Sequence, residues 1–301
     1  MDYLDFKYKN KDTEFKQIKA FLTDLQYFEN HDNNWDPSRL DWWRYSYHHD
    51  KDEDFFVKNA HYWTTTTGEI VGLAISEYGK NDIFIIVHPN HQSLYELVIT
   101  WCKSIFGQYK TEIVTTIFLN DLRKIEKLEA SGFIRTRHEN NVRTYNLVDY
   151  DFEYTLPSGF TIVPFPEYLN FESKIELICN AFDKPEHSKE RILSFMETPG
   201  YMPDLDLVVL NSEHKCVAYC TGWTEQYDES LGYIEPMGTH SDYRRLGLAS
   251  ALAKECFKRL KEKGVKSATI ASNAEPDISN CLYDSLQPSA KKSGYDYIFK
   301  L

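Results

Sequence analysis

The sequence predicts an α+β protein built from two tandem copies of one fold, each a mostly antiparallel mixed sheet flanked by helices. Three observations lead there. The chain has 301 residues, more than the roughly 100–200 residues of one domain, so two domains of about 150 residues each are expected. The second half reads as helices, three strands, a long helix, a strand, a helix and a strand. The first half runs through the same order.

In the first half, apolar periodicity predicts a helix over 13–28 and a Trp-rich helical stretch over 38–47. Strands follow over 61–66, 70–77 and 82–87, then a helix over 94–106, a strand over 113–118, a helix over 122–131 and a strand over 141–147. Between Asp149 and Gly159, polar residues with Pro157 and Gly159 break both patterns, which places the join there and the domains at 1–150 and 151–301. The second half opens with a strand over 160–163 and helices over 168–182 and 188–196. Strands over 205–210, 216–224 and 231–237, separated by turns containing Asn211-Ser212 and Asp228-Glu229-Ser230, form an antiparallel meander. From Leu248 onward, Leu248, Leu252, Cys256 and Leu260 recur every four residues with lysines opposite, and Gly264 supplies the stop. A buried strand over 267–271, a helix over 277–286 and a closing strand over 295–301 complete the copy. The copies align without a gap where residues 87–92 meet residues 239–244, a shift of 152 (His88 to His240) at which only the histidine is identical.

Apolar residues make up 42%, aromatic residues 15% and charged residues 27% of the chain, a balance of globular rather than disordered or fibrous proteins. The formal charge of −12 and pI of about 5.3 argue against nucleic-acid or anionic-membrane partners, which need a basic surface, and suit a cationic small molecule better. Six cysteines (Cys102, Cys179, Cys216, Cys220, Cys256, Cys281) include no C-x-x-C pair and lie in apolar or helical stretches, so reduced thiols are expected rather than a disulfide framework. The N-terminus lacks the pattern of a signal peptide and no run of 18 apolar residues occurs; the expected setting is soluble and cytoplasmic.

The segment that carries chemistry is YIEPMGTHSDYRRLGLASALAKECFKRL, a strand, a turn and a helix whose start reads Arg244-Arg245-Leu246-Gly247-Leu248-Ala249. A helix N-terminus offers orphan backbone N–H groups and a positive dipole end, and Gly247 lets a bulky anion approach the backbone. Such a turn suits a pyrophosphate, although short Gly-containing turns also serve merely to connect strand to helix. R-x-x-G-x-A between a fourth strand and a long amphipathic helix resembles the (Q/R)-x-x-G-x-(G/A) signature of the GNAT acyltransferase superfamily. The resemblance covers about residues 160–301. It implies transfer of an acetyl group from acetyl-CoA, used as co-substrate without a metal, to an amine. It implies that the amides of Arg245, Leu246, Gly247, Leu248, Ala249 and Ser250 cradle the CoA pyrophosphate, with Arg244 leading the signature. It also implies that Met237, Gly238 and Thr239, on a bulged strand interrupted by Pro236, run beside pantetheine, and that Asn273 ends the fifth strand against the cofactor.

Amine acylation needs a proton acceptor and benefits from an acid at the departing thiolate. Glu235 is the candidate base, with burial among Tyr233, Ile234 and Met237 expected to raise its pKa; it could instead bind a cationic substrate or face solvent, and Glu225 is the substitute. By resemblance, Tyr283 in SNCLYDSL is the candidate acid near the CoA sulfur, although Leu286-Gln287-Pro288 departs from the family pattern just beyond it. Cys256, on an apolar helix face, and Cys281, without an evident histidine partner, make a covalent acyl-enzyme the lesser option. His48-His49-Asp50 and His88 with His91 read as polar surface residues rather than metal ligands.

At the aligned turn the first half has Tyr95 and Leu97 in place of the glycine and alanine, with Glu96 adding negative charge, and Leu128 stands where the tyrosine should be. The first copy is therefore expected to be a non-catalytic partner. The aromatic set Trp35, Trp42, Trp43, Tyr45 and Tyr47 fits either a ligand cleft or a buried helix face, with packing favoured. The expected activity is N-acetylation of a small-molecule amine, the layout being similar to that of tandem GNAT enzymes. Two other classes are a non-catalytic acyl-CoA sensor and an acetyltransferase of protein N-termini or lysines.

Overall fold

The polar stretch 149–159, where the sequence places a join, lies within one of two compact units. The structure is a computed structural model that describes residues 2–28, 35–47, 53–106, 110–275 and 277–301. One compact unit comprises residues 1–140 with 292–301, and the other residues 141–291. The division falls inside a strand, and the last strand, expected to close the second copy, belongs to the first unit. The stretch 149–159 is no loose linker, because its aromatic side chains are anchored. Tyr150 and Phe152 pack on the core of the second unit, Tyr150 Oη donates to the Leu286 carbonyl at 2.6 Å, and Tyr154 Oη donates to Glu255 at 3.0 Å.

In the first unit, β1 (Tyr3–Lys7), α1 (Asp12–Leu25), α2 (Pro37–Trp42), α3 (Glu53–Asn59), β2 (Ala60–Thr65), β3 (Ile70–Ile75) and β4 (Phe84–Val87) are followed by α4 (Leu94–Phe106), β5 (Glu112–Phe118), α5 (Leu122–Ala130) and β6 (Ile134–Asn146). Strands β1 to β4 form an antiparallel sheet in sequence order. Trp35, Trp42 and Trp43 are buried; Trp35 and Trp43 pack in one core with Phe15, Leu22 and Phe56, against which Tyr45 also packs, so these indoles fill a core. The Tyr47 side chain and His48-His49-Asp50 lie outside what is described.

The second unit contains β7 (Thr161–Pro164), α6 (Phe165–Tyr168), α7 (Phe171–Ala181), α8 (Lys189–Met196), β8 (Asp206–Leu210), β9 (Cys216–Thr224), β10 (Leu231–Thr239), α9 (Leu248–Glu262), β11 (Ser267–Asn273) and α10 (Asp277–Ser285). The C-terminal strand β12 (Ala290–Lys300) pairs antiparallel with β5, from Gly294 opposite Phe118 to Lys300 opposite Glu112. The sheet of the second unit runs β6-β11-β10-β9-β8-β7, antiparallel from β7 to β10, with β11 parallel to β10.

Alternation explains why β8 and β9 read as continuous apolar runs. Leu207, Val209, Ala218 and Cys220 face one core with the α9 residues Leu248, Leu252, Cys256 and Leu260, whereas Val208, Leu210 and Tyr219 face another with Leu177, Ile178 and Ile192. A buried ion pair ties α7 to β8: Lys174 Nζ lies 2.7 Å from Asp206 Oδ2, which also accepts from Tyr201 Oη at 2.9 Å. Among the described residues no helix is long and apolar enough to cross a membrane. All six cysteines are free thiols.

The fit of α9 on the sheet leaves no space at Gly222, where an added Cβ would stand 2.5 Å from Cys256 Sγ and 3.5 Å from Leu205 Cβ. Gly222→Ala is expected to destabilise the second unit by about 1–3 kcal/mol through overpacking. Adding Cys256→Ala, which removes the sulfur, is expected to recover part of that loss. Thermal unfolding of the wild type, both single variants and the double variant checks this; strictly additive losses would contradict it.

Candidate functional site

Proline has no N–H to give to a ladder, so Pro236 inside β10 dictates a local break in pairing. Register with β9 runs Tyr233 opposite Trp223 and Ile234 opposite Gly222, then jumps to Met237 opposite Cys220, leaving Glu235 and Pro236 in a bulge. On its other edge β10 pairs with β11 only from Leu231–Ser267 to Tyr233–Thr269. Both strands continue, β10 to Thr239 and β11 to Asn273, so the parallel pair opens into a slot beyond Tyr233. Met237, Gly238 and Thr239 lie along that opened part of β10. Met237 packs towards the core beneath α9, while Gly238 allows β10 to approach Ala181 and Phe182 closely.

From β10 the chain turns at His240, whose N–H donates to the Val217 carbonyl at 2.9 Å and whose Nδ1 accepts from Asp242 N at 3.3 Å. A 3-10 turn over Ser241–Tyr243 follows, fixed by Asn180, whose Oδ1 accepts from Ser241 N at 2.6 Å. Arg245 (φ 63°) and Gly247 (φ 78°) then both adopt left-handed backbone, a conformation that costs a non-glycine residue about 1–2 kcal/mol and that gathers at functional sites. Gly247 is the N-cap of α9 with no side-chain cap, and a Cβ built there meets nothing within 4 Å. The first intrahelical bond recorded is from Ala251 N to Gly247 O at 3.0 Å, so the amides ahead of Ala251 point along the axis. Arg244, Arg245, Leu246 and Gly247 are exposed, Leu248 is buried in the core, and Ala249 and Ser250 are partly buried. The Arg244 guanidinium donates to the Thr239 carbonyl at 3.3 Å. An open, uncapped helix start beside arginines fits a diphosphate.

Tyr283, on α10, is buried and packs against the same core as α9. Burial first, then the Cys220 thiol and the Glu235 carboxylate nearby, push its phenol up to about 12, while the Arg143 guanidinium pulls it down. Glu235 itself is exposed, contrary to the burial expected for it. Ile234 takes the inward position on β10, and alternation turns the next residue out. Its carbonyl accepts from Trp223 Nε1 at 2.6 Å. Glu225, one residue past β9, is the buried carboxylate of the two. Asn273 ends β11, exposed, and its carbonyl accepts from Asn280 Nδ2 at 3.0 Å.

A buried polar network around Arg143 was not anticipated from sequence, although Asn141, Arg143, Tyr145 and Leu147 occupy alternate inward positions of β6 and beyond. Arg143 Nη2 donates to Asn280 Oδ1 at 2.7 Å and Nη1 to Ser272 Oγ at 3.0 Å, and Nε donates to Asp284 Oδ1. Among the described residues no group of three or more His, Cys, Asp and Glu side chains could hold a metal ion.

The first unit contains the same device up to the helix. His88 N donates to the Val71 carbonyl at 2.9 Å, and His88 Nδ1 accepts from Asn90 N at 3.2 Å, ahead of a 3-10 turn over Pro89–His91. His88 is thus a buried capping residue rather than a surface one. The match without a gap ends there. Two residues, Gln92 and Ser93, separate the 3-10 turn from α4, against four, Arg244 to Gly247, before α9. Among residues 88–94, all described, none has a left-handed φ. Tyr95 is buried in the core instead of standing in the turn, so the difference lies in turn length as well as in side chains.

Residues 173–279 match the family described as Acetyltransferase (GNAT) family, so the chain carries a GNAT-type acetyltransferase domain that contains the bulged strand, the turn and α9. Solved structures with the same fold include a GCN5-related N-acetyltransferase from Sphaerobacter thermophilus, at 18% identity and TM-score 0.68, covering 99% of this chain and 95% of that one. A tandem GNAT protein from the clavulanic acid biosynthesis pathway is similar at 12% identity and TM-score 0.69, covering 99% and 98% of the two chains. A GNAT-family acetyltransferase from Colwellia psychrerythraea matches at 11% identity and TM-score 0.66 over the whole of both chains. At these identities the likeness shows the fold. Comparison with curated proteins gives no match.

Proposed function

We propose that the second unit transfers an acetyl group from acetyl-CoA to a primary amine of a small molecule. The observation that carries this reading is the uncapped start of α9 at Gly247, open to solvent at the mouth of the slot between β10 and β11. The amides of Arg245 to Ser250 hold the diphosphate, and the slot takes the pantetheine arm along Met237 to Thr239, with Asn273 opposite. The amine nitrogen forms a bond to the thioester carbonyl carbon as the carbon–sulfur bond breaks. The proton lost by nitrogen passes to Glu235, through water from its exposed position, and the Tyr283 phenol supplies a proton to the departing thiolate. Glu225 is the alternative acceptor of that first proton. The first unit, with its shorter turn, is the non-catalytic partner.

Gly247→Tyr covers the amides with a side chain in a conformation unfavourable to it. It is expected to abolish acetyl-CoA binding in isothermal titration, along with thiol release in an amine screen; equal affinity of both proteins would contradict the site. A wild type that binds the cofactor yet releases no thiol with any amine would favour a sensor.

The two carboxylates are separated by the acid limb of kcat/KM. Glu235→Gln is expected to lower it about 100-fold and to remove the limb, with Glu225→Gln changing it far less. The reverse result would assign the proton to Glu225. Because the Tyr283 phenol is held near 12, it stays protonated, and its loss of a proton sets no alkaline limb below about pH 11. Tyr283→Phe is expected to lower kcat at every pH without moving the limbs.

A further inference from the structure

We propose that Arg143 is a positioning residue for Tyr283, and that strand β6 thereby sets the place of the acid in the reaction proposed above, on which this inference rests. Arg143 is fully buried and uses all three of its nitrogens, on β11 at Ser272 and on α10 at Asn280 and Asp284. Asn280 and Asp284 bracket Tyr283 on one helical turn, three residues before it and one after. Asn280 closes the other side: its Nδ2 donates to the carbonyls of Asn273 at 3.0 Å and Ala274 at 2.8 Å, and its Oδ1 also accepts from Asn141 at 3.1 Å and Ser272 at 2.9 Å. The next inward residue of β6 completes the clamp, Tyr145 Oη donating to the Tyr283 carbonyl itself at 2.8 Å.

Two strands and one helix are thus joined through a single guanidinium, and that joint lies where β11 has parted from β10. Without sheet pairing to β10 there, the distance of Tyr283 from the slot depends on what ties α10 to β11 and β6. A planar fork with five donors satisfies three acceptors at fixed angles, which an ammonium cannot. The guanidinium carbon also lies 5.9 Å from the Tyr283 ring centroid, close enough to favour proton release by the phenol.

The test is a double-mutant cycle of Arg143→Lys with Tyr283→Phe, read as thiol release from acetyl-CoA with hydroxylamine. Hydroxylamine is largely unprotonated at neutral pH, so no ammonium proton has to be removed before attack. The proton its nitrogen sheds as the new bond forms still passes to Glu235, which is unchanged in every variant, so the losses compared report the acid. Tyr283→Phe is expected to cost about 100-fold in kcat. Arg143→Lys is expected to cost about tenfold in kcat, with the Kd for acetyl-CoA changed less than twofold, and almost nothing further once Tyr283 is Phe. Equal losses from Arg143→Lys in both backgrounds would overturn the inference while leaving the acid assignment intact. A harmless Tyr283→Phe, or a wild type with no thiol release above background, would sink the acid assignment and this inference with it. Should Arg143→Lys fail to fold, Asp284→Asn carries the same cycle. Asp284 is half exposed, and its loss leaves the bonds to Ser272 and Asn280 in place.

Discussion

Pairing between β10 and β11 stops after three residues, and most of what distinguishes the second unit depends on that interruption. A parallel pair normally zips to the end of its shorter strand. Here Pro236 removes a donor and the bulge at Glu235 and Pro236 diverts β10, while β11 keeps its own course towards Asn273. The parted edges leave a slot with backbone groups on one wall. The chain leaving β10 has to turn back over the sheet, so α9 begins at the mouth of this slot. Burial of Leu248, Leu252, Cys256 and Leu260 against Ala218, Cys220 and Ile234 then fixes the helix axis.

The turns that lead into α4 and α9 differ by two residues. Both leave their strand at a histidine that donates to the neighbouring strand and caps a 3-10 turn. The second unit then spends two more residues, with left-handed backbone at Arg245 and Gly247, before its helix begins. Those residues leave the amides at the helix start open, while Leu248 anchors its first turn in the core. The first unit begins its helix at once, with Leu94 and Tyr95 sunk into its core.

Long periodic elements were legible in the sequence: α4 and β9 have the bounds their patterns predict, and the four-residue spacing from Leu248 locates α9. Elements with little apolar signal were not. β1 buries almost nothing, and the first half of β6, Ile134 to Glu139, is charged and largely exposed, so neither shows alternation to read. The glycine-containing turn into α9 was legible, but its left-handed backbone at Arg245 and Gly247 was not. Glu235 was expected to be buried among Tyr233, Ile234 and Met237, whereas alternation with the inward Ile234 exposes it. Arg143 escaped for a related reason: a charged residue at an inward position looks like a break in the pattern until its three acceptors, at Ser272, Asn280 and Asp284, are brought together by folding.

The central claim is that main-chain amides at the start of α9 grip the diphosphate of the co-substrate. Amide 1H–15N shifts of Gly247, Leu248, Ala249 and Ser250, followed during titration with coenzyme A and separately with pantetheine, test it most directly. The account predicts large, saturable shifts of these four amides with coenzyme A and none with pantetheine, which shares the arm but lacks the diphosphate. Unmoved amides at saturating coenzyme A, or equal shifts with both compounds, would contradict it.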